Sequence, residues 1–304
     1  MNTLLQIKIV DSGNFDPSSP DKLAALLVSL GNKLDRFKPT SEIHKVNRNA
    51  GLKQVQVSPE TIDVVSQALA IHKKTNGAFD PTIGPLVDLW QITPSSSVPS
   101  DKWQPPSEKA ISLATSLVDG NKVKIDDKEI FLPLSGMSLD LGGIAKGYAL
   151  EQARDYFRSA GINNFLIDFG GNVYVEGLRP GEKPWRVGIR HPQKQAEVIA
   201  WVELTGVAFS TSGDYESYRL YGKDRYCHIL DPRTGKPSAN LASVTVVSPI
   251  PVQADALSTA AFVLGPVDGL KLIEEWPDAE AIFIDKDLHV FATSGLNGKV
   301  HINK

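Results

Sequence analysis

Cysteine is nearly absent from this 304-residue chain; Cys227 is the only one. A single cysteine cannot close an internal disulfide, so it indicates no redox compartment, and Cys227 reads as an ordinary half-buried strand residue. A positive charge excess is missing as well. The formal charge is −3 at pH 7, which argues against a nucleic-acid partner, because such proteins carry a basic face. No transmembrane span or lipid-attachment cysteine is expected. The start, MNTLLQIKIVDSG, lacks the charged segment and apolar core of a signal peptide. It reads as a first strand, with Leu5, Ile7 and Ile9 alternating against polar neighbours. The expected location is the cytoplasm, or the periplasm or cell envelope if a targeting segment was removed. Two familiar nucleotide fingerprints are lacking too. The glycine-rich stretch SLDLGGIAKGYALEQARDYF, residues 138–157, fits neither G-x-G-x-x-G nor G-x-x-x-x-G-K-[ST].

What is present is an ordinary globular composition, 41% apolar and 22% charged, in a length that suits one large domain or two intimate lobes. Leu23, Leu27, Leu30, Leu34 and Phe37 form the stripe of an amphipathic helix over 21–37. A second helix is expected after Ser58 as N-cap and Pro59 in the first turn, with Ile62, Val65 and Leu69 on its buried face and Gly77 as its stop. Residues 93–107, rich in Ser and Pro, read as an exposed loop. Residues 138–141 read as the end of a strand, 144–159 as a helix and 164–169 as the next strand. A second D-x-G-G, Asp168 to Gly171, suggests a faint repeat of one turn. Strands are expected at 172–177, 186–190, 198–204, 225–231 and 242–248, then helices at 252–264 and 267–276, then strands near 281–284 and 289–293. Strands outnumber helices and many are joined by short turns, so mixed α/β layers of an α+β kind are expected in place of a doubly wound sheet.

Four places could carry chemistry. Gly142 and Gly143 permit close backbone approach, and the helix after them offers N–H groups and a positive dipole end to a phosphate, with Lys146 one turn in. Asp140 would repel a bare phosphate and points instead to a metal, a ribose hydroxyl or a ring N–H; the alternative is a tight strand–helix turn with a surface lysine. In NGAFDPTIGPLVDLW, Phe79 could stack on a flat ring while Asp80 binds its polar edge, or the segment is a helix stop and a turn. In RYCHILDPRTGKPS, His228 suits a general base, or is a structural strand histidine; Leu230 shares its side of the strand. In VQADALSTAAFVLG, Asp255 and Thr259 stand one helical turn apart with Ser258 beside them, suiting a hard ion such as Mg²⁺ or a buried hydrogen-bonded pair.

Together these segments resemble the ApbE family, the FAD:protein FMN transferases once named thiamine-biosynthesis lipoproteins. RFKPTSEIHKVN, GAFDPTIGPL, DLGGIAKGYAL, FLIDFGGN, STSGDY, HILDPRTGKP and ADALSTAAFVLG occur in the family's order and span nearly the whole chain, implying one catalytic unit over 1–304. Met1-Asn2-Thr3 is similar to the family's early Met-Gly-Thr, with Asn for Gly; the lipobox cysteine of many members is absent, so membrane contact is not implied. The resemblance implies mixed sheets with packed helices and an FAD cleft between two intimate lobes. It implies Mg²⁺-dependent transfer of FMN from FAD to a threonine hydroxyl of a target protein, leaving AMP. FAD contacts would come from Ala78, Phe79, Asp80, Asp140, Lys146 and Leu230, and from His44, whose position varies in side chain. Mg²⁺ would be held by Asp255, Thr259 and the Gly143 carbonyl, with Ser258 where some members have an acid. His228 is the candidate base. Hydrolysis of FAD to FMN and AMP, and flavin binding without catalysis, are the alternatives.

Overall fold

The structure is a computed structural model that describes residues 4–10, 19–93, 98–194 and 196–303. Its centre is a seven-stranded sheet built from Leu5–Ile9, Phe165–Phe169, Asn172–Glu176, Val207–Gly213, Ser243–Ser248, Glu280–Ile284 and Val290–Ala292. The strands lie side by side in chain order and every pairing is antiparallel. Alternation explains the two covered faces. Ile167, Tyr174 and Val246 point to a helical layer, while Val175, Phe209 and Val247 point to a second, three-stranded sheet of Trp185–Arg190, Val198–Leu204 and His301–Ile302. The fold is α+β, and the antiparallel pairing of every described strand of this sheet differs from the parallel pairing of a doubly wound one.

The helices are α1 (Ser19–Leu34), α2 (Glu42–Arg48), α3 (Pro59–Lys74), α4 (Gly84–Trp90), α5 (Glu108–Thr115), α6 (Ala145–Ser159) and α7 (Pro251–Glu274). Helices α6 and α7 lie directly on the sheet, with α1 and α3 packed outside them. The leucine stripe of α1 is buried at Leu23, Leu27, Leu30 and Leu34, but the helix stops there and Phe37 is 58% exposed. Helix α3 starts after Ser58, as its sequence indicates; its buried face is Thr61, Val64, Val65, Ala68, Ile71 and His72, rotated so that Ile62 and Leu69 are only half-buried. Helix α7 is long and apolar enough to cross a membrane by length and composition, yet its first half is a buried core helix against the sheet. Gly265, at φ +81°, breaks it before Pro266, which accounts for the two helical segments legible in the sequence.

Three sequence expectations are corrected. Residues 138–141 form no strand. Their extended backbone is held by a bridge from Ser138 to Ile83, by Asp140 N–H donating to Pro81 O at 2.8 Å, and by the Asn47 carboxamide, which closes both backbone groups of Leu139 at 2.7 and 2.9 Å. The two D-x-G-G stretches are not one repeated turn. The first leads into α6, whereas Gly170 and Gly171, both at positive φ, make the two-residue hairpin between neighbouring strands. The strand expected over 225–231 ends at Cys227, so His228 lies just beyond its end. The Met1-Asn2-Thr3 resemblance and part of the 93–107 loop lie outside the described residues.

Candidate active site

A cleft of about 590 Å³ opens at the end of the central sheet, a volume typical of a small-molecule site. It collects Ala78, Phe79, Asp80, Asp140, Gly143, Lys146, His228, Leu230, Asp255 and Thr259, which the sequence scatters over about 180 positions. Among the expected site residues, His44 and Ser258 do not line it.

The glycine turn forms one wall. Asp140 accepts from Gly142 N–H at 2.8 Å and pairs with Arg36 at 3.0 Å. Arg36 is nearly buried and also reaches Asp88, Ser138 Oγ and Gly84 O. The Asp140 charge is therefore met by a guanidinium from 104 residues away, a partner invisible to local sequence reading. His44 stands behind this pair: its Nδ1 faces Arg36 O at 2.9 Å and, since a carbonyl only accepts, must be the donor. Lys146, on the first turn of α6, makes no ion pair or hydrogen bond among the described residues, so its ammonium remains available to an anion in the cleft. The start of α6 offers fewer free N–H groups than its sequence suggests, because Gly147 N–H donates to Asp255 Oδ2 at 2.8 Å.

Helix α7 supplies the adjoining wall. Asp255 is 3% exposed, accepts from Gly147 N–H and from Ser210 Oγ at 3.0 Å, and has no Lys, Arg or His partner among the described residues. Thr259 lies one turn on, and a Cβ built on Gly143 would sit 3.1 Å from Thr259 Oγ1 and 3.2 Å from Phe79. A side chain there would require Thr259 or Phe79 to give by a few tenths of an ångström. Asp255 and Thr259 make no hydrogen bond to each other; Thr259 Oγ1 lies 3.4 Å from Ser212 Oγ. A buried carboxylate with no cationic partner among the described residues, and a hydroxyl one helical turn on, are hard oxygen donors of the kind that suits Mg²⁺, so these side chains fit that ion. Ser258 is turned aside: its hydroxyl donates to the Asp255 carbonyl at 2.8 Å and meets Ser212 Oγ at 2.8 Å.

Asp80 lines the cleft but is not free to bind a ring edge. Oδ1 accepts from Thr82 N–H at 2.8 Å and Thr82 Oγ1 at 2.6 Å; Oδ2 accepts from Gly120 N–H at 3.0 Å and lies 3.2 Å from His72 Nδ1. Burial alone would raise the Asp80 pKa, but His72 and Thr82 outweigh it and hold the carboxyl below its usual range; the same bond raises His72 against its own burial. Asp80 thus fixes the turn that presents Phe79. Sequence reading missed His72, whose only local signal is a histidine on the buried stripe of α3.

His228 closes the site. Its backbone N–H and its Nδ1 both approach Ser217 O, at 3.0 and 3.1 Å. The carbonyl can only accept, so Nδ1 carries the proton and Nε2 keeps its lone pair. Burial pushes the imidazole pKa below its ordinary value; the Ser217 carbonyl opposes this and Lys146 reinforces it. The ring is therefore neutral at pH 7, as a base must be. Leu230 stands two residues on, packed with Trp90 and Trp103 in a small separate core.

The ApbE family model matches residues 1–283. An FAD:protein FMN transferase of Vibrio cholerae is 31% identical over 281 residues, covering 90% of this chain and 82% of that one. One from Klebsiella pneumoniae is 35% identical, covering 84% and 78%. The solved flavin transferase ApbE from Vibrio cholerae superposes with a TM-score of 0.88 at 29% identity over 98% of this chain and 96% of that one. The ApbE protein from Thermotoga maritima does so with 0.85 at 31% identity over 98% of each. Motif order, fold and whole-chain similarity agree, and this chain belongs to the ApbE family.

Proposed function

We propose that this protein transfers FMN from FAD to a threonine hydroxyl of an acceptor protein, with Mg²⁺ as its metal. The observation that carries the reading is the tautomer of His228, a neutral base in the same cleft as a lysine without a partner among the described residues and a set of hard oxygen donors. The FAD pyrophosphate fits beside Lys146 and the glycine turn, with Phe79 offering a ring face. The acceptor hydroxyl attacks the FMN-side phosphorus and its proton passes to His228 Nε2. The bond to the AMP phosphate breaks, and AMP leaves with the electron pair, its charge offset by Lys146. A metal held by Asp255, Thr259 and the Gly143 carbonyl would supply further neutralisation of the pyrophosphate oxygens. A binding protein would have no use for a base, which sets this reading above simple flavin delivery.

The test is incubation with FAD and Mg²⁺, with and without an FMN-acceptor domain, read by in-gel flavin fluorescence and AMP release. Fluorescent acceptor with AMP supports transfer. AMP at the same rate without labelled acceptor would make the protein an FAD pyrophosphatase, and neither product would leave flavin binding alone.

A further inference from the structure

Asn172 begins the strand Asn172–Glu176, directly after the Gly170–Gly171 hairpin turn, and lines the cleft. It is 2% exposed, and its Nδ2 is buried without a hydrogen-bond partner. Three other buried side-chain atoms share that condition among the described residues, Glu151 Oε2, Ser238 Oγ and Ser243 Oγ, and none of these residues lines the cleft. A buried amide N–H left unpaired is costly, and folded proteins rarely keep one without a use.

The sheet register says what lies beside it. Val173 pairs with Phe209 and Tyr174 with Ala208, so one step further along the ladder Asn172 falls alongside Ser210. The two-residue period puts both on the face of Tyr174 and Ala208, the face that α7 covers. Cross-strand neighbours of this kind stand about 4.5–5.5 Å apart at Cβ. Ser210 Oγ in turn donates to Asp255 Oδ1. The unpaired amide N–H therefore sits next to the Asp255 wall, yet the carboxylate there accepts from Ser210 and Gly147 and leaves Asn172 Nδ2 without an acceptor. An amide nitrogen cannot ligate a hard cation; it needs an acceptor oxygen. The acceptor-rich group that the cleft's lysine and oxygen donors are built to receive is a phosphate.

We propose that Asn172 is a phosphate-binding residue of the substrate site, donating from Nδ2 to an oxygen of the FAD pyrophosphate. This rests on the reading of the cleft as an FAD site. It makes Asn172 a determinant of selectivity for phosphorylated flavin over riboflavin. It also separates stability from binding, because an amide reserved for a ligand costs the empty protein something, whereas a structural amide supports it.

The experiment compares wild type with Asn172→Leu, which keeps the volume and removes the amide, and with Asn172→Ala, which serves if leucine is not accommodated. Melting temperatures are measured without ligand, and FAD and riboflavin affinities by quenching of flavin fluorescence. The ligand-free variant should melt at or above the wild-type temperature. Its FAD dissociation constant should rise roughly ten- to hundredfold, the loss of one hydrogen bond to a charged group, with riboflavin binding unchanged. A clear fall in melting temperature with unchanged FAD affinity would make Asn172 structural, and equal losses for FAD and riboflavin would place its contact on the flavin ring; either overturns the proposal. Wild type binding FAD no better than riboflavin would overturn the FAD reading along with it, whereas tight wild-type binding matched by the variants would overturn the Asn172 assignment alone.

Discussion

Gly147 offers a perturbation in which two effects of opposite sign compete. It lies in the first turn of α6, and a Cβ placed there would stand 2.6 Å from Asp255 Cβ, 2.6 Å from Pro251 O and 2.9 Å from Val252 Cα. Two of these three atoms are α7 backbone, so the clash cannot be relieved by a side-chain rotation. Helix propensity favours alanine over glycine by about 1 kcal/mol. Against this, overpacking costs about 1–3 kcal/mol, and moving the helices apart lengthens the Gly147 N–H bond to the Asp255 carboxylate, a charged hydrogen bond of about 1.5–3 kcal/mol. Gly147→Ala should therefore lose about 2–5 kcal/mol, read as a lower urea midpoint at unchanged slope. FMN transfer should fall as well under conditions where the variant is folded, because Asp255 is displaced. A stability raised by about 1 kcal/mol, the helix-propensity gain alone, would refute the tight α6–α7 crossing.

His228→Ala should fold and bind FAD, with transfer slowed by roughly 10²–10⁴-fold. Because burial lowers the His228 pKa, wild-type transfer should persist to pH values below 6.5 and fall only as Nε2 gains its proton; a rate already halved above 6.5 would contradict the assignment. EDTA should abolish transfer and added Mg²⁺ restore it, and Asp255→Asn should need more Mg²⁺; an unchanged Mg²⁺ dependence would remove Asp255 from the metal site. His72→Gln should cost about 3–5 kcal/mol at slightly acid pH, as expected for breaking a buried pair. The His72 pKa is raised, so the pair's contribution is complete below 6.5 and is lost as pH rises through the folded-state value. The gap between wild type and variant should narrow toward alkaline pH, and a gap that is constant with pH would contradict the ion pair.

The legible parts of this molecule were those set by local periodicity or by compact motifs. The α1 stripe, the Pro59 start of α3 and the Gly265 break could be read because each depends on neighbours within a turn or two. The cleft residues Phe79, Lys146, His228, Asp255 and Thr259 were legible because their motifs occur together and in order. What escaped was decided across the sheet. Asp80 looked like a ligand for a ring edge, but His72 and Gly120 occupy its oxygens. Asp140 read as a partner for a metal, a ribose hydroxyl or a ring N–H, and local sequence held no sign that Arg36 reaches it. Residues 138–141 looked like the end of a strand because a strand-like run leads into the helix there, while their partners are the Gly84 N–H, the Pro81 carbonyl and one asparagine side chain. Ser258 shares a helix face with Asp255 by spacing, and only the Ser212 contact shows where its hydroxyl goes.

The central claim is that FAD is cleaved by an acceptor hydroxyl at this cleft. Its most direct measurement is the stoichiometry of a single turnover: AMP by chromatography, and the acceptor's mass and modified residue by mass spectrometry. The account predicts one AMP for each FMN attached, the FMN on a threonine, and both products lost together in His228→Ala. AMP formed without modified acceptor, or acceptor modified as fast by His228→Ala as by wild type, would contradict it.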